Sequence, residues 1–125
     1  MLLMQTAWAQ NAIESLGASQ QGGDVVLKLT TTQPLASVPA SFSVANPPRI
    51  AFDFPGVSNA VGRNAQSFNE GDLRSVNLVQ VGDRTRVVLN LKQMRQAAAR
   101  IEGTDLYITI SGAASGELTK AESAT

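Results

Sequence analysis

Arg84 and Arg86 flank Thr85 at the start of Arg84-Thr85-Arg86-Val87-Val88-Leu89-Asn90-Leu91, where polar and core-forming residues alternate. A guanidinium binds a planar carboxylate through two parallel hydrogen bonds, and Asn and Thr pair with amides and hydroxyls. Successive side chains of a strand point to opposite faces, so Val87, Leu89 and Leu91 share one face and Arg86, Val88 and Asn90 the other. Arg74 lies upstream. Tyr107, the one tyrosine, alternates with Leu106 and Ile108 and so points outward, where its ring can stack on a sugar. Arg84, Arg86, Asn90, Arg74 and Tyr107 form the candidate ligand-binding set. A shallow strand face of this chemistry suits a polymer carrying sugars and short peptides. The same arginines also fit the plain solvated face of an antiparallel strand, because arginine is mostly exposed. Both readings stay open at this point.

Catalytic chemistry has little to work with. The chain has no histidine and no cysteine, which removes the usual general base, the Ser–His and Cys nucleophile pairs and the common zinc ligand sets. No catalytic residue, metal ligand or cofactor site is expected. Asp53 lies between two inward phenylalanines and can pair with Arg49 or Arg86, or contact a ligand; a cross-strand ion pair is the simpler role. Asp83 and Asp105 sit at turns, where aspartate bonds the local backbone. Gly22-Gly23-Asp24 lacks the strand–loop–helix setting of a phosphate loop. A glycan-active enzyme requires two carboxylates converging in a cleft, for example Asp53 and Asp83.

Charge points the same way. Ten basic residues balance ten acidic ones, and no Lys/Arg run offers an electrostatic case for nucleic acid or an anionic membrane. The balance hides an asymmetry: from Arg63 to Arg100 there are seven basic residues against Glu70, Asp72 and Asp83, or about +4. The flanking thirds are correspondingly acidic.

The elements that must position these residues are short strands. Asn11–Ser19 has Ile13 and Leu16 three apart, which predicts a bulge near Ser15–Gly17. Val25–Thr30, Ser41–Val44 and Arg49–Phe54 alternate cleanly, and Asn46-Pro47-Pro48 forces a turn. Val57–Asp72 reads as a long connection with one short strand near Ala65–Phe68. Then the order repeats: Leu73–Val81, Arg84–Leu91, Ala97–Ile101 and Leu106–Ile110. Lys28 takes the outward place in the first copy that the arginine face takes in the second. Gln93–Glu102 also fits a short helix, but the repeat and the Gly103-Thr104-Asp105 turn favour a strand. Two half-buried four-strand meanders bury their apolar sides by packing together. The predicted fold is therefore an all-β sandwich of two packed sheets built from two similar four-strand units, with a small closed barrel as the alternative.

At 125 residues the chain holds one domain. Residues 1–9 end in Ala7-Trp8-Ala9, the small-residue pattern of a signal-peptide cleavage site, and read as the remnant of a longer signal peptide. A plain apolar arm is the other reading. The folded domain is expected over 10–111. Residues 112–125, small and polar, read as a flexible linker to something further.

Two stretches carry a resemblance. Pro48-Arg49-Ile50-Ala51-Phe52-Asp53-Phe54-Pro55-Gly56-Val57 resembles the signature of AMIN domains: proline and arginine, three apolar residues, Asp, an apolar residue, Pro-Gly. Arg84–Leu91 resembles their strand with Arg, an apolar residue, Val and a closing Leu. The resemblance spans about residues 11–111, and within the family it is strongest to the N-terminal modules of type IV pilus secretins. It implies a non-catalytic module in the periplasm that binds peptidoglycan and anchors or positions an outer-membrane secretin pore, with other secretin domains and pilus assembly proteins as partners. It implies no contact with nucleic acid and no membrane insertion by this segment. The alternative is a docking module for other pilus or cell-envelope proteins, with wall association only indirect. The family supplies no ligand-contact motif to carry over, so the arginine face rests on these residues alone.

Overall fold

The alternating stretches form strands. The computed structural model describes residues 11–112, so the expected signal-peptide remnant and all of the expected linker except Gly112 lie outside the described residues. Ten strands follow in chain order among those described: β1 (Asn11–Gln21), β2 (Asp24–Thr31), β3 (Ala40–Ala45), β4 (Pro48–Pro55), β5 (Val57–Asn59), β6 (Ala65–Glu70), β7 (Leu73–Val81), β8 (Arg84–Leu91), β9 (Ala97–Glu102) and β10 (Asp105–Ile110). Residues 97–102 are strand, which settles the helix alternative.

The strands make two five-stranded sheets, ordered β5-β1-β2-β10-β9 and β3-β4-β8-β7-β6. We call the first sheet I and the second sheet II. Both keep open edges, so the fold is a sandwich and not a closed barrel.

The two four-strand units are present, but neither forms a sheet by itself as the meander reading expected. The first unit sends its β1–β2 hairpin to sheet I and its β3–β4 hairpin to sheet II; the second sends β7–β8 to sheet II and β9–β10 to sheet I. The reason lies in the connections. Residues 32–39, with Pro34 and Pro39, and residues 92–96 are too long for tight turns, and each carries the chain across to the other sheet. The internal two-fold thus exchanges the sheets, relating β1 to β7, β2 to β8, β3 to β9 and β4 to β10.

Details repeat under this relation. The Thr32 N–H donates to the Ala12 carbonyl at 2.9 Å, and the Lys92 N–H to the Asp72 carbonyl at 2.8 Å. The bulge falls between Ile13 and Ser15, just before its expected place, and its counterpart between Leu73 and Ser75. One extra residue there lets Ile13 and Leu16 both reach the core. Gly22 and Gly82 open two-residue turns at φ of +66° and +63°, a conformation that glycine adopts without a Cβ penalty. Aligning these turns sets Thr85 against Val25. Lys28 therefore corresponds to Val88, and Arg86 to Val26, so the place of Lys28 holds valine and not arginine in the second copy.

The core fills the space between the two inner faces. Leu27, Leu29, Leu106 and Ile108 meet Phe52, Phe54, Val87 and Leu89 among others, all nearly inaccessible. The long connection after β4 is more structured than expected: β5 pairs parallel with β1, and β6 pairs with β7. Thr85 is fully buried, and its hydroxyl donates to the Val57 carbonyl at 2.8 Å, tying sheet II to the start of β5 in sheet I. The Arg95 Nε donates to Asp72 Oδ2 across two connections, with only 12% and 19% of the side chains exposed.

Phe52→Ala is expected to cost about 3–5 kcal/mol, read as a lower urea midpoint with little change in slope. Thr85→Val keeps the shape but leaves the Val57 carbonyl unsatisfied, and is expected to cost about 1–3 kcal/mol in the same titration.

Candidate functional site: the outer face of sheet II

Strand register fixes which side chains meet. On the outer face of sheet II, Ala40, Asp53, Arg86 and Val79 form one row across β3, β4, β8 and β7. Phe42, Ala51, Val88 and Asn77 form the next, followed by Val44, Arg49, Asn90 and Ser75. Arg84 and Val81 close the turn end of the sheet.

The two arginines of the opening motif behave differently. Arg84 Nη1 donates to Asp53 Oδ2 at 2.8 Å, a diagonal pair that takes the carboxylate away from Arg86, its direct cross-strand neighbour. Asp53 thus forms the expected cross-strand ion pair, with Arg84 in place of Arg49 or Arg86. Arg86 makes no ion pair among the described residues. Its guanidinium lies 4.9 Å from the centre of the Phe42 ring, two strands away. The intervening residue is Ala51, whose small side chain leaves room beneath that reach; it is buried although it faces outward.

Asn90 is held in place: its Nδ2 donates to Asn77 Oδ1 at 2.7 Å and to Ser75 Oγ at 3.1 Å. Arg74 is the exposed residue of the bulge between Leu73 and Ser75, beside the Asn90 end of β8. Tyr107 is elsewhere. It lies on the outer face of sheet I, with the Arg100 guanidinium 4.7 Å from its ring centre. The structure therefore brings Arg84, Arg86 and Asn90 onto one face, sets Arg74 near its end, and places Tyr107 on the opposite side of the sandwich.

The two outer faces differ in chemistry. On sheet I, Lys28 approaches Asp105 at 3.9 Å and Arg100 bonds Glu102 at 2.8 Å, so both of these cations have a carboxylate partner. A shallow depression of about 440 Å³ lies there because Gly17, opposite Lys28, contributes no side chain. On sheet II, Arg49, Arg84 and Arg86 face one carboxylate, Asp53. Of the large apolar side chains that stay exposed, Phe42, Val44, Val79 and Val81 are all on this face, and Val38 is the exception among the described residues. A smaller depression of about 230 Å³ is lined by Asp53, Val79, Val81, Arg84 and Arg86. Of these two depressions the one on sheet I is larger, whereas unpaired charge and exposed apolar surface favour sheet II. A desolvatable cation beside a ring offers a ligand something that a paired surface does not, which makes sheet II the candidate face.

Phe42 is the residue that the sequence pattern missed. Its strand alternates cleanly, but nothing in that alternation says that β3 is an edge whose aromatic faces out. The described residues contain no cluster of acidic, His or Cys side chains able to hold a metal, and no helix long and apolar enough to cross a membrane.

Comparison with known proteins agrees with the resemblance read from the motifs. The AMIN domain family profile matches residues 16–113. The fimbrial assembly protein PilQ of Pseudomonas aeruginosa is 35% identical over 105 residues, covering 83% of this chain and 15% of that protein. The chain therefore spans well under a quarter of the length of this curated relative. No solved structure is a significant match. The duplicated strand plan, both signature stretches and the profile match converge, and the chain belongs to the AMIN domain family.

Proposed function

We propose that this chain is a non-catalytic peptidoglycan-binding and targeting module in the periplasm, part of a type IV pilus secretin, that anchors or positions the outer-membrane pore during pilus biogenesis. Family membership and the likeness to PilQ support the setting. The observation that carries the binding reading is Arg86, a guanidinium with no carboxylate partner among the described residues, held over the exposed Phe42 ring. Such a pair offers a bidentate site for a stem-peptide carboxylate next to an apolar ring against which a sugar can stack. Arg84, Asn90 and Arg74 extend the polar surface along the strand. No deep cleft is required, because a polymer is gripped by repeated shallow contacts.

Other secretin domains and pilus assembly proteins are the second class of partner. Val79 and Val81, 48% and 68% exposed beside the arginines, favour a docking role for the same face. Among the described residues Asp53 serves Arg84, and no second carboxylate lines the depressions it borders, which gives no support to glycan cleavage. Co-sedimentation with purified murein sacculi separates the two roles. The wall-binding role predicts that the chain pellets with sacculi; a chain that stays in the supernatant while the intact secretin pellets is a docking module.

Arg86→Ala is expected to weaken sacculus binding by about tenfold or more, the loss of one charge-assisted contact. It should lower stability by no more than about 1 kcal/mol, the scale of an exposed cation–π pair. Arg84→Ala instead strands the partly buried Asp53. We expect it to lower the thermal midpoint by a few degrees, an effect that Asp53→Asn combined with it largely removes, as a double-mutant cycle would show.

A further inference from the structure

Among the described residues four edges border the two sheets, and three carry features that discourage pairing with another chain. β5 is three residues long, β6 has a register shift between Ser67 and Glu70, and β9 presents Arg100 and Glu102. Short length, irregularity and charge are the usual means by which edges are blunted. β3 has none of them. It reads Ala-Ser-Phe-Ser-Val-Ala, without charge, proline or glycine, and all six residues are exposed.

The internal two-fold supplies the comparison. Phe42 pairs with Ala51 as Arg100 pairs with Tyr107, and Val44 pairs with Arg49 as Glu102 pairs with Asp105. At the two positions where β9 is charged, β3 is therefore aromatic and β-branched. One scaffold carries a blunted edge and an open one.

We propose that β3 pairs antiparallel with β3 of a second copy of this chain, joining two copies of sheet II into one continuous sheet. The occupant follows from self-complementarity. Centred on Ser43, the pairing sets Phe42 of each copy opposite Val44 of the other, and the two Ser43 residues opposite each other. Aromatic and β-branched residues are favourable cross-strand partners, and with no charge on β3 no like charges meet in the paired strands. Two six-residue strands bury less than the roughly 1,200 Å² of a stable complex, so the contact is weak and forms at high local concentration, as when copies are held side by side.

The chain has no cysteine, so Ser43→Cys introduces a single thiol. Directly opposed residues in an antiparallel pair have Cα atoms about 4.5–5.5 Å apart, within disulfide range. Under mild oxidation of the intact chain, Ser43→Cys is expected to dimerise at least about tenfold faster than Ser67→Cys on the exposed β6 edge, because pairing raises the local thiol concentration. Adding Val44→Glu, the residue type that β9 carries there, should bring the rate down to that of the control. In the unaltered chain, dilution from millimolar concentration should shift the amide resonances of Ala40–Ala45. Equal cross-linking of the two single-cysteine variants, or concentration-dependent shifts confined to residues outside β3, would overturn the proposal.

Discussion

Everything on the surface of this domain is held in place by the packing of β2 and β10 against β4 and β8. Each of these strands places an apolar side chain at every second position, and the inner faces they form are buried almost completely. Because side chains alternate with a period of two, a slip of one residue in β8 would expose Val87, Leu89 and Leu91 and bury Arg86 and Asn90. The cost of burying a guanidinium unpaired makes that slip prohibitive. The arrangement of arginines is thus set from inside the sandwich, and the outer face needs only modest contacts of its own.

The exchange of hairpins between sheets has a consequence for function. Each sheet contains one hairpin from each unit, so the two outer faces are built on equivalent frames and can diverge independently. On sheet I the positions are filled by Lys28, Asp105, Arg100 and Glu102, which neutralise one another. On sheet II the equivalents are Val88, Arg49, Phe42 and Val44, and the carboxylate that remains, Asp53, is engaged by Arg84. Among the described residues the result is one face whose cations have carboxylate partners and one where Arg86 makes no ion pair and lies beside exposed apolar groups.

Much of this was legible in the sequence, for a definite reason. Strands such as Arg49–Phe54 and Arg84–Leu91 declare themselves by alternation, and glycine turns such as Gly82-Asp83 mark where they end. The signature stretches then identify the family. Which strands pair was not legible, because β2 and β8 are equally apolar on their inner faces and nothing local distinguishes β3 from β10 as a neighbour. For the same reason alternation shows that Tyr107 points outward but not that it lies on the sheet opposite Arg86. The partner of Asp53 was also hidden: register places Arg86 opposite it, but the long Arg84 side chain reaches it diagonally and Arg86 turns to Phe42. Side-chain reach across three strands is a property of the assembled sheet, not of any segment.

The proposed wall-binding surface is the outer face of sheet II, centred on Arg86 and Phe42. Its most direct test is a titration of the isotope-labelled chain with soluble muropeptides, followed by amide and arginine side-chain resonances. Saturable shifts are expected at Phe42, Arg86 and Asn90, with little change around Lys28 and Tyr107. Shifts confined to the Lys28–Tyr107 face, or none at all under conditions where intact sacculi are bound, would contradict it.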